Sequence, residues 1–167
     1  MSNIVLIGMP GSGKSTVGVL LAKMLGMNFI DADLLIQQRE GMKLYEILAQ
    51  KGNDYFARVE EEVNASIEAE NTVIATGGSV VYGEKAMEHL KSIGKVVYLR
   101  VPLRELERRI KNFATRGIQM APGQTLGDLY AERVPLYEKY ADITVTTGAA
   151  GLMRNAEKII ASISEFA

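Results

Sequence analysis

The sequence predicts a three-layer α/β fold, in which a parallel β-sheet is covered by helices on both faces. Short apolar runs alternate along the chain with longer segments of helical period, and this alternation is typical of parallel strands joined by crossover helices. A glycine-rich run directly follows the first apolar segment. The length of 167 residues fits one domain with a substantial core. We therefore expect a single domain over residues 1–167.

Five apolar runs are short enough to form buried strands. They lie at residues 4–7, 28–30, 72–75, 95–99 and 143–145. The segments between them carry apolar residues three and four positions apart, as Val17, Leu20 and Leu21 do, and this spacing predicts helices. Ligands of parallel sheets bind beyond the carboxyl ends of the strands, so the residues after each strand are the candidates for a site.

Residues 8–16 read Gly-Met-Pro-Gly-Ser-Gly-Lys-Ser-Thr and fit the pattern G-x-x-x-x-G-K-[ST] of the phosphate-binding P-loop. Glycines let backbone N–H groups close around phosphate oxygens, and the N-terminus of the next helix adds the positive end of a dipole. Lys14 can reach the β- and γ-phosphates, and the Ser15 hydroxyl can ligate Mg²⁺. The alternative, an ordinary glycine turn, explains less of this context. We expect a nucleoside triphosphate to contact Gly11, Ser12, Gly13, Lys14, Ser15 and Thr16.

Two carboxylates, Asp31 and Asp33, follow the second predicted strand. Next to a P-loop, one carboxylate can hold Mg²⁺, directly or through water. The other can accept the proton of an attacking hydroxyl and orient it. A structural alternative is that Asp33 caps a helix that begins near Leu34.

Two glycines and two arginines are further candidate site residues. Gly77 and Gly78 follow the third strand and allow a ligand to approach the backbone closely, although a tight turn would need them too. Arg133 can bind a carboxylate through two parallel hydrogen bonds, or it can be a solvated surface charge. Arg58 has acidic neighbours three and four positions on, Glu61 and Glu62, and a surface ion pair is the default expectation.

One long segment lacks clear periodicity. Residues 113–124 hold two glycines, a proline and Arg116. A connection of this length is typical of a functional loop, and we predict a lid over about residues 112–125 that closes on the nucleotide. The alternative is a surface connection without a function.

Composition excludes several classes of protein. The net charge of −1 offers no electrostatic footprint for nucleic acid, and the lack of cysteine removes disulfides and thiolate zinc sites. No apolar run approaches the ~20 residues of a membrane span, and the first residues lead directly into a strand. We expect a cytoplasmic monomer whose partner is a small molecule, not nucleic acid or a membrane.

Taken together, these motifs resemble the shikimate kinase family of P-loop small-molecule kinases, over nearly the whole chain. The resemblance rests on the P-loop, the paired aspartates, the run Phe56-Ala-Arg-Val-Glu60, the glycines after the third strand and the run Arg133-Val-Pro-Leu-Tyr137. It implies a five-stranded sheet of order 2-3-1-4-5, a lid, and a substrate-binding helical segment over about residues 33–62. It also implies ATP and Mg²⁺ as cofactors.

The resemblance further implies roles for individual residues. Asp31, with Ser15, would serve the metal, and Asp33 would orient and deprotonate the acceptor hydroxyl. Arg109 would pack on adenine, and the lid residue Arg116 would reach phosphate. The positions around the substrate would be Ala57, Arg58, Gly77, Gly78, Ser79 and Arg133. Lys14, Asp33 and Arg116 form the predicted catalytic set.

Two departures from the family pattern concern the acceptor. Typical members carry an arginine that pairs with the substrate carboxylate where this chain has Ala57, and a third glycine where it has Ser79. Shikimate, phosphorylated on its 3-hydroxyl, is the leading acceptor. The departures keep open a kinase of another hydroxy or amino acid, such as homoserine or gluconate. A nucleotide-binding module without transfer activity is the remaining alternative.

Overall fold

The computed structural model describes residues 2–110 and 117–166. Five strands form one sheet, all of whose neighbours are parallel, in the order β2-β3-β1-β4-β5. The strands are β1 (Asn3–Ile7), β2 (Asn28–Asp31), β3 (Thr72–Ala75), β4 (Gly94–Arg100) and β5 (Ile143–Thr146). All five predicted strands are confirmed, each within a residue or two at its ends.

Seven α-helices lie within the described residues. They are α1 (Lys14–Leu25), α2 (Ala32–Glu40), α3 (Leu44–Ala65), α4 (Glu84–Ile93), α5 (Leu103–Arg109), α6 (Leu126–Tyr140) and α7 (Leu152–Phe166). Helix α3 is broken at Gly52, whose φ of 84° and ψ of 172° are not helical. None of these helices is both long and apolar enough to cross a membrane.

The two faces of the sheet carry separate cores. Alternate residues of β1 point to opposite faces: Val5 and Ile7 belong to one buried cluster, whereas Ile4 and Leu6 belong to the other. Helices α4, α5 and α6 pack on the first face, and α1 and α7 pack on the second. The predicted three-layer arrangement and its sheet order are therefore confirmed.

Helices α2 and α3 form a small core of their own. Its buried members are Ile36, Ile47, Phe56, Val59 and Val63. The start of α2 lies at the carboxyl end of the sheet, because α2 directly follows β2. The sheet and the α2–α3 unit together enclose the ends of β1, β2 and β3, where the candidate site residues lie.

Candidate active site

The P-loop makes a tight turn between β1 and α1. Gly8 has φ of 152°, and a Cβ on it would lie 2.8 Å from the carbonyl oxygen of Leu99, so this position requires glycine. Gly13, with φ of 88°, is the N-cap of α1, and no side chain caps this helix end. The first backbone N–H groups of α1 therefore lack intrahelical partners and suit an anion.

Lys14 is buried within the loop. Its Nζ donates to the carbonyl oxygens of Gly8 at 2.8 Å and Met9 at 2.9 Å, and to Oγ of Ser12 at 3.2 Å. Burial lowers the pKa of Lys14 to about 8, although the negative charge of Asp33 works in the opposite direction. The ammonium group is thus held beside the turn that would receive phosphates.

Ser15 and the two aspartates lie together at the ends of β1 and β2. The Ser15 hydroxyl donates to Oδ2 of Asp31 at 2.8 Å, and Oδ1 of Asp31 accepts from the backbone N–H of Asp33 at 3.0 Å. Asp31 is therefore the N-cap of α2. The capping alternative for Asp33 is wrong, because α2 begins at Ala32, ahead of the expected start near Leu34.

The side chain of Asp33 instead lines a cavity. Burial and the nearby charge of Asp31 raise the pKa of Asp33 to about 6, and the ammonium of Lys14 opposes this shift. A Cβ on Gly77 would lie 2.7 Å from Oδ1 of Asp33 and 2.7 Å from Oε2 of Glu60. Both carboxyl groups therefore pack against the Gly77 backbone, and a side chain at position 77 would collide with them.

Glu60 is buried on the cavity-facing side of α3. Its Oε1 accepts a hydrogen bond of 2.6 Å from the Ser79 hydroxyl, whereas its buried Oε2 has no hydrogen-bond partner among the described residues. Burial raises the pKa of Glu60 to about 7, and the hydrogen bond from Ser79 opposes that shift. A buried carboxyl oxygen without a partner is uncommon and requires an explanation.

Arg133 of α6 is 1 % exposed and closes the far side of the cavity. Its Nε donates to the Tyr82 hydroxyl at 3.3 Å, and its Nη2 donates to the carbonyl oxygen of Gln119. A Cβ on Gly78 would lie 2.7 Å from Cδ of Pro10 and 3.0 Å from Nη1 of Arg133, so a side chain does not fit at position 78. Tyr137 holds the Gly78 backbone in place by donating to its carbonyl oxygen at 2.6 Å.

One cavity of about 420 Å³ collects most of the predicted site residues. Those that line it are Gly11, Gly13, Lys14, Ser15, Thr16, Asp33, Gly77, Gly78, Ser79, Arg109 and Arg133. Asp31 lies at its edge, bonded to Ser15. The cavity therefore joins the P-loop to a charged pocket that the sheet and helix α3 form.

Arg109 separates this cavity from a neighbouring one of about 280 Å³, which also contains Ser12. The guanidinium donates to Glu105 at 2.7 Å and to the carbonyl oxygens of Gly11 at 3.1 Å and Gly148 at 3.0 Å. These bonds hold Arg109 between the P-loop and the turn after β5. A planar group in this place can stack on a nucleotide base.

Ala57 and Arg58 are not among the residues that line the cavity. Ala57 is half-buried, and Arg58 is exposed, with its guanidinium 5.0 Å from the centroid of the Tyr55 ring. One helix position turns a side chain by ~100°, so Arg58 does not take the place of a side chain at position 57. Arg116 lies outside the described residues.

The expected ion pair of Arg58 with Glu61 or Glu62 is wrong. Glu62 pairs instead with Arg39 at 2.6 Å, and Glu61 accepts from the backbone N–H of Lys85 at 3.1 Å. Helices α2 and α4 supply these partners, because both pack against α3. Local spacing on one helix does not contain that information.

Comparison with known proteins identifies the family of this chain. The model of the shikimate kinase family matches residues 10–164. The chain belongs to the shikimate kinase family. It is 37% identical to the shikimate kinase of Sulfurihydrogenibium sp. (strain YO3AOP1), over 98% of each chain. It is 42% identical to that of Clostridium botulinum (strain Okra / Type B1), over 88% of this chain and 89% of that one.

Solved structures of the shikimate kinase family share the fold. The shikimate kinase from Acinetobacter baumannii in complex with shikimate has a TM-score of 0.89 and 33% identity, over 99% of this chain and 94% of that one. The enzyme from Aquifex aeolicus has a TM-score of 0.83 and 37% identity, over 97% and 96%. A gluconokinase from Sinorhizobium meliloti, with a TM-score of 0.55 and 21% identity, shares the fold alone.

These findings confirm the predicted family and the enzyme class, an ATP-dependent small-molecule kinase of the shikimate kinase family. No individual role was predicted for Glu60, Tyr82 or Tyr137, which also belong to the site. Glu60 and Tyr137 had a signal, because they end two of the runs that carry the family resemblance. Tyr82 had none, since its contact with Arg133 joins positions 51 residues apart.

Proposed function

We propose that this chain transfers the γ-phosphoryl group of ATP to the 3-hydroxyl of shikimate. The observation that supports this most directly is that Lys14, Asp33 and Arg133 line one cavity. A cation for phosphate, a carboxylate for a hydroxyl and a buried guanidinium for a carboxylate are the three groups that the reaction needs. The bound shikimate named in the Acinetobacter baumannii structure supports the choice of acceptor.

Lys14 and Asp33 would act on the reacting atoms. Lys14 neutralises the charge of the transferring phosphoryl group, and most of the rate of such reactions comes from positioning and electrostatic stabilisation. Asp33 accepts the proton of the acceptor hydroxyl and orients its oxygen towards the γ-phosphorus. Its raised pKa suits a base that must be ionised near neutral pH but must also bind a proton.

Arg133 would hold the acceptor carboxylate. It is buried and lines the cavity, with its Nη1 beside the backbone of Gly78. Tyr82 keeps the Arg133 guanidinium in place. The guanidinium lies over the Tyr82 ring, 5.3 Å from its centroid. Arg109 would pack on adenine, and Arg116 would approach the phosphates when the lid closes.

Ser15 and Asp31 are the residues that would hold Mg²⁺. Their side-chain oxygens lie 2.8 Å apart at the end of the P-loop, and hydroxyl and carboxylate oxygens are the ligands that Mg²⁺ prefers. The part of the chain that the structure describes contains no group of three or more His, Cys, Asp or Glu side chains able to hold a metal. A site of one or two protein oxygens, completed by phosphates and water, fits this donor set. The ion would supply charge neutralisation at the β- and γ-phosphates.

The lid and the substrate-binding segment are part of the same proposal. Within the predicted lid segment, the Met120 carbonyl oxygen accepts a hydrogen bond of 3.1 Å from the Asn53 side chain of α3, which supports a lid that closes beside this helix. The separate apolar core of α2 and α3 supports treating residues 33–62 as a unit. The cytoplasmic location and the monomeric state stay predictions.

A coupled ATPase assay tests the acceptor. We expect turnover with shikimate and none above background with homoserine or gluconate. Ala57 is the observation that favours another acceptor, since the position lacks the guanidinium expected for a shikimate carboxylate. Turnover with another acid, but not with shikimate, would transfer the assignment to that acid. Tight ATP binding without any acceptor turnover would favour a non-catalytic module.

A further inference from the structure

The turn that follows β3 is in contact with both halves of the candidate site. A Cβ on Gly77 would lie 2.7 Å from Oδ1 of Asp33, so the carboxyl group packs directly on the backbone of the turn. A Cβ on Gly78 would lie 2.7 Å from Cδ of Pro10 in the P-loop and 3.0 Å from Nη1 of Arg133. The position of this turn therefore sets the separation between the P-loop and the two groups proposed to hold the acceptor.

Tyr137 of α6 holds the turn through a hydrogen bond to its backbone. The hydroxyl donates to the carbonyl oxygen of Gly78 at 2.6 Å, and Sδ of Met9 in the P-loop lies 3.7 Å from the same hydroxyl. A tyrosine hydroxyl has one hydrogen to donate, and the shorter contact takes it. The Tyr137 ring is buried and stacks on the Tyr98 ring with 5.1 Å between the centroids, which fixes the place of the hydroxyl.

Tyr137 and Arg133 approach the turn from the same side of α6. They are four positions apart, so their side chains are neighbours on the helix surface. Tyr137 bonds to the carbonyl group of Gly78, whereas Arg133 lies beside its α-carbon. Tyr137 is not among the residues that line the cavity, so it can act on bound ligands only through the turn.

From these contacts we infer that Tyr137 is a positioning residue, whose hydrogen bond to Gly78 sets the alignment of the acceptor with the nucleotide. The inference rests on the proposed function, in which the P-loop holds ATP while Asp33 and Arg133 hold shikimate. Phosphoryl transfer needs the attacking oxygen in line with the phosphorus, and a misplacement of about 1 Å can lower the rate by about 100-fold. Without the Tyr137 hydroxyl each ligand keeps its own side-chain contacts, so kcat should fall while both affinities persist.

Tyr137→Phe tests the inference, because it removes the hydroxyl and keeps the stacked ring. Calorimetry with ADP alone and with shikimate alone would give each Kd and the number of binding sites. A coupled assay with both substrates saturating would give kcat per binding site. We expect each Kd to stay within about threefold of the wild type and kcat per binding site to fall by about 10- to 100-fold. A merely structural role would lower the number of binding sites or the Tm and leave kcat per site unchanged.

Tyr98→Phe is the matched control, since it removes the hydroxyl from the other ring of the stacked pair. The Tyr98 hydroxyl is buried and has no hydrogen-bond partner among the described residues, so kcat should match the wild type. As a rescue, 4-aminophenylalanine in place of Tyr137 keeps a donor at the same point of the ring, and it should return kcat to within about threefold of the wild type.

The outcomes separate the inference from the proposed function. An unchanged kcat per binding site in Tyr137→Phe would overturn the inference alone. An equal fall in Tyr98→Phe, or no recovery with the amino group, would also overturn it, because the hydrogen bond would not be the cause. Loss of binding of both ligands in Tyr137→Phe would assign the hydroxyl to the fold and overturn it as well. A wild type without turnover on shikimate would contradict both proposals.

Discussion

Ser79 donates a hydrogen bond of 2.6 Å to Oε1 of Glu60, which joins the turn after β3 to helix α3. Both departures from the family pattern concern this carboxyl group. Ala57 removes a cation that could pair with Glu60, and Ser79 adds a donor to the same carboxyl group. The two positions therefore act on one buried acid at the acceptor end of the cavity.

Lys14→Met should abolish most phosphoryl transfer and keep the fold. The loss of one group that stabilises the transition-state charge predicts a fall in kcat of about 10²–10³-fold. Stability should fall by about 1–3 kcal/mol, because methionine fills a similar volume but leaves the three buried acceptors of the Lys14 ammonium without their donor. A coupled assay and thermal denaturation measure the two effects. Lys23→Met, an exposed position on α1, is the control, and normal turnover in Lys14→Met would refute the role.

Asp33→Asn should lower kcat by about 10²–10⁴-fold, because it removes a general base but keeps the shape of the side chain. Steady-state kinetics with shikimate would separate kcat from KM. We expect KM to change by a few-fold at most. Asp54→Asn, exposed on α3, should match the wild type. A change confined to KM would make Asp33 a binding residue and not a base.

The pH profile should report the ionisation of Asp33. Burial and the charge of Asp31 raise its pKa to about 6, and the base works only when ionised. We therefore expect kcat/KM to fall as the pH drops through about 6. Measurement of kcat/KM between about pH 5 and pH 8 would show this acid limb. A profile that is flat through this range would contradict the assignment.

Glu60→Gln should stabilise the fold at alkaline pH. Burial raises the pKa of Glu60 from 4.5 to about 7, so its neutral form contributes stability that is complete below about pH 4.5 and is lost as the pH rises through about 7. Glutamine stays neutral, which predicts a gain in the free energy of unfolding of at most about 3 kcal/mol near pH 8, shrinking towards pH 5. Denaturant unfolding at both values measures the difference. For the exposed control Glu62→Gln, we expect the difference from the wild type in the free energy of unfolding to be the same at both pH values. The same result for Glu60→Gln would contradict the raised pKa of Glu60.

Ala57→Arg should tighten shikimate binding. An arginine here can reach both the acceptor carboxylate and Glu60, and one charge-assisted hydrogen bond predicts about 10- to 100-fold tighter binding. Calorimetry gives the affinity directly. Ala49→Arg adds the same charge at an exposed position of α3 and should have no effect. Unchanged binding in Ala57→Arg would mean that the acceptor lies elsewhere in the pocket.

Much of the site could be predicted from the sequence because its parts follow strands. The P-loop, the paired aspartates and the glycines at 77 and 78 all come directly after β1, β2 and β3. Carboxyl ends of parallel strands meet at one edge, so these groups had to lie close together. Arg58 could not be placed in this way, because its orientation depends on where a helix contacts its neighbours.

The amino-acid sequence by itself determined the three-layer fold, the five strands, the phosphate loop and the family. These features depend on local spacing and on motifs, which are present in the chain before it folds. The tertiary structure decided which carboxylate caps α2 and which side of α3 faces the cavity. Those outcomes depend on contacts between residues far apart in the chain, such as Ser79 with Glu60 and Arg133 with Tyr82, and such contacts exist only once the helices have packed on the sheet.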